Sequence, residues 1–273
     1  MTSAFAIRDD DTSYFTSPDE LDAVYAPYWG KIPVSLATVP FSVPEHRGRS
    51  FNNRYPPDAE MPLGENKPLV EWLKEKIRLG HVEIMLHGYN HLYQQINGRW
   101  IGEYGWKSVQ QLLEETARGK AYLEQLLEAE IKVFVPPSNT IGKAGIRTIR
   151  HAGLNLSGIM GRGGDRPWTR DYPAAYLKRW GWRLFKGEAY PYPLALGGVK
   201  ELRAYALTPR ANVDDLMRSL KSCATIQAPF IIATHYWEFR DSPSMHETLS
   251  MLIDQARKTG FVFTQVSHCF NRL

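Results

Sequence analysis

Cysteine is scarce: two residues in 273, Cys223 and Cys269. Two thiols without metal-ligand spacing build neither a disulfide framework nor a cysteine-ligated metal site. No apolar run approaches the roughly 18 residues that span a bilayer. Lys and Arg number 33 against 29 Asp and Glu, and the excess of +4 is spread along the chain. The Lys/Arg block that marks a nucleic-acid binder is missing, although a mild positive balance suits an anionic substrate. Met1 to Ile7 carries neither the basic start nor the apolar centre of a secretory signal before it meets Arg8, so the expected location is cytoplasmic. Repeats, low-complexity tracts and linkers are absent too, and residues 1–273 read as one domain. Aromatic residues are plentiful, with 8 Trp, 14 Tyr and 11 Phe, which suits a carbohydrate or other ring-bearing ligand.

The chain alternates strand and helix patterns about seven times. Ala4 to Ile7 is a short apolar strand that runs into Asp9-Asp10-Asp11. Ser17-Pro18-Asp19-Glu20 opens a helix to about Trp29, with Ser as cap and Pro at the first helical position. Ile32 to Val39 is the second strand, and residues 40–66 form a long Pro/Asn/Arg-rich loop of the kind that carries function. Lys67 to Leu79 is an amphipathic helix capped by Gly80. Val82 to Leu86 is the third strand, and Gly88 to Gly105 reads as a second long loop. Ser108 to Glu130 is the longest helix. Strands follow at Ile131 to Val135 and Leu154 to Ile159, around a short helix from Lys143 to His151. Gly161 to Tyr172 reads as a loop. Trp182 to Phe185 and Leu202 to Leu207 read as strands. The chain ends with a helix over Asn212 to Thr225, a strand over Pro229 to Thr234, a helix from Ser242 to Gly260 and a strand over Phe261 to Val266. Such alternation predicts a mostly parallel sheet flanked by helices, open or curled into a barrel, with ligands at the carboxyl ends of the strands.

The candidate chemistry falls on those ends. His87 and His91, in His87-Gly-Tyr-Asn-His91, have the i,i+4 spacing of one helical turn and can share a divalent cation. A catalytic zinc takes three protein ligands and leaves one position open. Asp11, at the end of the first strand, is the expected third ligand. Two imidazoles and a carboxylate accept zinc first, and also Co, Ni, Mn or Fe. Pro137 to Asn139 follows the fourth strand and His235 a late one. His46, His81, His151, His246 and His268 have no assembled context and read as structural.

This ordered set resembles the polysaccharide deacetylase family, the metal-dependent carbohydrate esterases. Asp9-Asp10-Asp11-Thr12 stands at the family's Thr-Phe-Asp-Asp-Gly motif, and His87 to His91 at its His-Ser/Thr-x-x-His motif. Phe134-Val135-Pro136-Pro137-Ser138-Asn139 stands at its Arg-x-Pro-aromatic motif, and Ile231-Ile232-Ala233-Thr234-His235 at its closing strand. The resemblance implies a distorted (β/α) barrel of about seven strands. It implies Asp11, His87 and His91 as metal ligands, Asp10 as general base, His235 as general acid, and the Ser138 backbone N–H as an oxyanion donor. Asn139, Tyr89 and Trp237 are candidates to touch the substrate. Four departures stand out, the first being Thr12 in place of the motif's glycine. Val135 replaces the arginine that positions the catalytic aspartate, Ser138 replaces an aromatic residue, and the aspartate that orients the catalytic histidine is not evident, with Asp165 or Asp171 as candidates. Arg8 lies beside the acidic run and is placed to pair with Asp9. The pattern is closest to deacetylase-like proteins carrying Arg-x-Asp-Asp and His-Gly-Tyr-x-His. The implied function is removal of an N-acetyl or related acyl group from an amino sugar, as in a nucleotide- or lipid-linked precursor of surface polysaccharide such as O-antigen. The alternatives are an inactive sugar-binding member of the fold and a hydrolase of another amide, such as a uronamide.

Overall fold

The computed structural model describes residues 3–158 and 168–271; Asp165 and most of the loop read over 161–172 lie outside them. The sheet is built around β1 (Ala4–Thr12). Its other strands are β2 (Val34–Thr38), β3 (Val82–His87), β4 (Val133–Val135), β5 (Asn155–Gly158), β6 (Leu194–Ala195), β7 (Lys200–Arg203), β8 (Tyr205–Ala206), β9 (Phe230–Thr234) and β10 (Val262–Phe263). The spatial order is β6-β7-β5-β4-β3-β2-β1-β9-β8, with β10 also beside β1. Every pairing is parallel except that of β6 with β7. Among the described residues seven of these strands have three or more residues and three have two, so about seven full strands are present, with the short β6 and β8 at the flanks and the short β10 beside β1.

The run read as one strand over Leu202 to Leu207 divides at Ala204. β7 pairs with β5, whereas β8 pairs with β9 at the other flank. One short segment thus joins both flanks, and the sheet curls into a distorted barrel. Alternation along β1 sorts its side chains by face. Phe5 and Ile7 join the large core beneath the helices, whereas Ala4 and Ala6 join a second cluster with Ala37, Met85, Val133, Val135, Ile231 and Ala233. That second cluster fills the concave side. Its small residues leave room for larger polar groups above them.

The helices are α1 (Pro18–Tyr25), α2 (Lys67–Arg78), α3 (Glu103–Trp106), α4 (Val109–Leu127), α5 (Lys143–His151), α6 (Tyr172–Lys186), α7 (Val213–Thr225), α8 (Tyr236–Asp241), α9 (Pro243–Lys258) and α10 (Val266–Cys269). Ser17 and Ser108 both make capping boxes, closing α1 and α4 at their N-termini. Four readings from sequence are corrected. Trp182 to Phe185 is the last part of α6, not a strand; the helix runs through Gly181 and stops only at left-handed Gly187, and the Leu, Lys and Arg around those aromatics favour helix. The strand read over Phe261 to Val266 pairs only at Val262 and Phe263, because β2 takes that side of β1 from Ile7 onward. The loop read over Gly88 to Gly105 contains a hairpin, Tyr93–Ile96 with Arg99–Gly102, followed by α3. Residues 40–66 likewise hold two small ladders, Phe41–Ser42 with Met61–Pro62 and Glu45–His46 with Arg49–Ser50.

Phe230 on β9 is fully buried, stacked between Phe5 and Tyr205 with ring centroids 5.7 Å and 4.4 Å away. Phe230→Ala should destabilise the fold by about 3–5 kcal/mol, measured by urea denaturation. A loss under ~1 kcal/mol would contradict this packing.

Candidate functional site

Three consecutive aspartates end β1, and each side chain has a different environment. Regular alternation would send Asp10 and Asp11 to opposite faces. The register shows why it does not: Asp9 pairs with Leu36 and Thr12 with Thr38, three steps on β1 against two on β2. This bulge is made by Asp11 at φ +75°, and bulges re-aim side chains in this way. Asp9 points towards α1, where its Oδ2 accepts from the Tyr25 and Thr234 hydroxyls. Burial outweighs these bonds and pushes the Asp9 carboxyl up to about 7. Asp10 points to the concave side. Asp11 turns back over the rim.

Arg8 shares the Asp10 face because it lies two residues earlier. Its guanidinium is fully buried and donates to Asp10 Oδ2 at 2.6 Å, to Asn139 Oδ1 at 3.0 Å and to the Ser157 carbonyl at 3.1 Å. The pairing with Asp9 expected from sequence is therefore replaced by a pairing with Asp10. Asp10 Oδ1 is buried and has no hydrogen-bond partner among the described residues, so one carboxylate oxygen is held and the other is unpartnered.

His87 ends β3. Its Nδ1 donates to the Val135 carbonyl at 2.9 Å, which fixes the tautomer and turns Nε2 towards the rim. His91 does not reach the same point through a helical turn, as its spacing suggested. Gly88 at φ +66° and His91 at φ +60° fold a tight non-helical turn. Buried Glu103 on α3 holds this turn by accepting the N–H groups of Tyr89 at 2.7 Å and His91 at 3.2 Å. Lys107 Nζ, also buried, balances it at 3.0 Å. A Cβ on Gly88 would meet Glu103 Oε1 at 2.0 Å, so the position excludes any larger residue. Asp11 Oδ1 then lies 3.1 Å from His87 Nε2 and 3.4 Å from His91 Nε2.

His235 follows β9 on the other side of Asp11. Its Nε2 lies 3.8 Å from Asp11 Oδ2, and its Nδ1 is 3.2 Å from Glu238 Oε2 on α8. Burial opposes charge on this ring, but the Glu238 bond and the fields of Asp11, Asp10 and Asp9 win and lift its pKa to about 9. The same histidines act on Asp11. Burial alone would raise its carboxyl, yet the His87 bond and the neighbouring imidazoles hold it well below the usual carboxylate range. Burial pushes His91 down to about 4 against the pull of Asp11.

Of the remaining candidates, Trp237 lies at the rim, with Nε1 3.3 Å from Asp11 Oδ2 and its ring centroid 5.3 Å from that of His235. Ser138 and Asn139 sit in a left-handed turn at φ +54° and +52°. The Ser138 hydroxyl bonds the Tyr93 hydroxyl, and Asn139 supports Arg8. Tyr89 is packed away: it is buried against Phe41, and its hydroxyl donates to Glu60. Asp171 accepts from the Gly197 N–H, and the carboxylate beside His235 is Glu238. Sequence reading missed Arg8 as the partner of Asp10, and it missed Glu103 and Glu238. Residues two apart on a strand share a face, which would have found Arg8, and an i,i+3 Glu at a helix start would have suggested Glu238. Nothing local pointed to Glu103.

The donors of Asp11, His87 and His91 all lie within 4.8 Å of one another. Two imidazoles and one carboxylate, with His87 oriented from behind, fit a divalent cation with positions left open. Residues 54–172 match a family described as "Uncharacterised protein conserved in bacteria (DUF2194)". No curated protein sequence matches the chain. Among solved structures, a Mycobacterium smegmatis protein assigned as a polysaccharide deacetylase has a TM-score of 0.54 at 13% identity, covering 99% of this chain and 90% of that one. The family 4 carbohydrate esterase domain of a xylanase from the hindgut metagenome of Trinervitermes trinervoides has a TM-score of 0.52 at 12% identity, covering 99% and 91%. The fold is that of the family 4 carbohydrate esterases. A third structure with this esterase fold, an acetyl xylan esterase from Clostridium thermocellum, contains a cobalt ion; its TM-score is 0.50 at 13% identity, covering 98% and 91%. The likeness read from the motifs holds for the fold, and the rim of the esterase fold is where the histidines and aspartates gather.

Glu103→Ala removes the acceptor for the Tyr89 and His91 N–H groups. It should cost at least about 2 kcal/mol of stability, at roughly 1–3 kcal/mol for each orphaned buried donor, and loosen the His91 turn. Urea denaturation together with zinc titration of the same variant checks both effects. Unchanged stability and unchanged zinc affinity would contradict the role given to Glu103.

Proposed function

We propose that this chain is a metal-dependent hydrolase that removes an acyl group from the nitrogen of an amino sugar. The observation that carries the reading is the division of labour around Asp10. One of its oxygens is clamped by Arg8, the other is buried with no partner among the described residues, and it stands beside a three-donor set and an imidazole of raised pKa. Asp11, His87 and His91 would hold the cation. When bound, a divalent ion there supplies Lewis acidity, which polarises a carbonyl and lowers the pKa of water from 15.7 towards about 7.

The chain's own groups do the remaining work. Asp10 Oδ1 takes the proton of the attacking water, while Arg8 fixes Oδ2 and so fixes the direction of Oδ1. His235 is kept as imidazolium by Glu238 and donates a proton to the departing amine, which must leave protonated. The Ser138 N–H is the proposed donor to the oxyanion. A retired sugar-binding protein was the alternative that Val135 suggested. The hydrolase reading is favoured because an arginine reaches Asp10 from β1 itself.

The mouth of the site supports a reading of the substrate class. The Arg47 guanidinium carbon lies 5.3 Å from the Tyr93 ring centroid, and its Nη2 is 3.4 Å from the Ser138 hydroxyl. A cation beside the acyl site suits a substrate bearing phosphate or carboxylate, such as a nucleotide- or lipid-linked N-acetylamino sugar. Removal of an O-antigen precursor's acetyl group fits this description, and hydrolysis of a uronamide would release ammonia instead of acetate.

The test is turnover of zinc- or cobalt-loaded protein on nucleotide-linked N-acetylamino sugars, with acetate and ammonia both measured. Asp10→Asn should lower kcat by about 10²–10⁴-fold with the metal content unchanged. Arg8→Lys, which keeps the charge but loses the fork, should lower kcat by roughly 10–100-fold. Full activity in Asp10→Asn, or no acetate from any acylated sugar despite bound metal, would overturn the proposal.

A further inference from the structure

Helix α6 wears its apolar face outward. A surface helix ordinarily turns its apolar stripe to the core. Here the body-facing side carries Trp182, whose ring meets Tyr190 and Tyr192 at 5.7 Å and 6.0 Å between centroids, while buried Tyr172 begins the outward row and stacks on Tyr176 at 6.0 Å. The opposite side carries Tyr176, Trp180 and Leu184 at four-residue spacing with Leu177 beside them. These four are 40%, 57%, 61% and 64% exposed. Phe185 at the C-terminal end and Trp168 just before the helix are more exposed still, at 82% and 79%. Exposed apolar surface gathered on one element marks an interaction site.

The charges on α6 indicate the partner. Between Tyr172 and Lys186 the charged residues are Lys178, Arg179, Arg183 and Lys186, and no Asp or Glu occurs. Around the helix, Arg183 lies to one side of the outward stripe and Lys178 to the other. A second copy of this chain would set two helices of the same sign against each other. An apolar stripe with Trp and Tyr, flanked by cations alone, has the composition of a helix that lies in the interface of a bilayer and draws on anionic headgroups. Among the described residues no helix is long and apolar enough to cross a membrane, so any attachment through α6 is peripheral.

We propose that α6 docks the protein on an anionic lipid surface through Tyr176, Leu177, Trp180 and Leu184, with Lys178 and Arg183 engaging the headgroups. The inference stands apart from the chemistry at the rim, since it uses no residue of that site. The experiment is flotation of the full chain with vesicles of phosphatidylcholine alone and of phosphatidylcholine with phosphatidylglycerol, at low and high salt. The protein should float with the anionic vesicles, weakly at high salt, and remain behind with the neutral ones. The charge-reversed variant K178E/R183E should partition on the order of 100-fold more weakly. L177Q/W180Q/L184Q should fail to float while keeping the wild-type circular dichroism and melting temperature. Absence of flotation with anionic vesicles, or equal flotation with both kinds, would overturn the proposal. So would a wild-type dimer in sedimentation that becomes monomeric in L177Q/W180Q/L184Q, which would assign the face to a second copy.

Discussion

Carboxylates in succession at the buried end of a parallel strand repel one another and lose hydration together, and each costs free energy unless it finds its own compensation. β1 meets this constraint with one inserted residue. The bulge at Asp11 sends Asp9 to hydroxyls under α1, Asp10 to a guanidinium on the concave side and Asp11 to two imidazoles at the rim. Without the bulge Asp11 would share the Asp9 face, and the donor set would lack its carboxylate. The left-handed backbone at Asp11, His91, Ser138 and Asn139 belongs to the same solution. Strained non-glycine residues gather where a constellation must be held in a geometry that regular strands do not provide.

Arg8 shows how such a site tolerates change in one of its parts. Val135 contributes a backbone carbonyl to His87 and an apolar side chain to the concave cluster, so it offers no charge to Asp10. The charge arrives instead from two residues earlier on the strand that carries Asp10. A buried pair of this kind contributes little net stability compared with an apolar replacement; what it gives the site is direction. Ala6 and Ala233 keep the concave side shallow near the pair, and Asn139 and Ser157 accept further N–H groups from the guanidinium's terminal nitrogens.

Much of this was readable from the sequence, because strand ends carry short patterns. The strand-helix alternation, the placing of Asp11, His87 and His91 on one rim, and the capping signals at Ser17 and Ser108 all rest on neighbours a few residues apart. What was not readable depends on contacts made across the chain or on competition between patterns. Glu103 organises the histidine turn from twelve residues beyond His91, across a hairpin that sequence reading took for open loop. The four residues Trp182 to Phe185 carry strand-like aromatics, yet they continue a helix whose outward stripe has no core to meet. Tyr89 lies within the His87-to-His91 segment, but the turn that delivers His91 rotates it into packing against Phe41. Arg8 was within reach of the simplest rule, since period two alone places it over Asp10 and away from Asp9.

The central claim is that Asp11, delivered by the bulge, and the two imidazoles of His87 and His91 form one cation site. Isothermal titration of the metal-stripped chain with zinc tests it most directly. The account predicts one equivalent bound by the wild type and an affinity lowered by at least about 100-fold in Asp11→Ala, two orders of magnitude corresponding to ~2.7 kcal/mol. Zinc binding that is absent in the wild type, or that is as tight in Asp11→Ala, would contradict it.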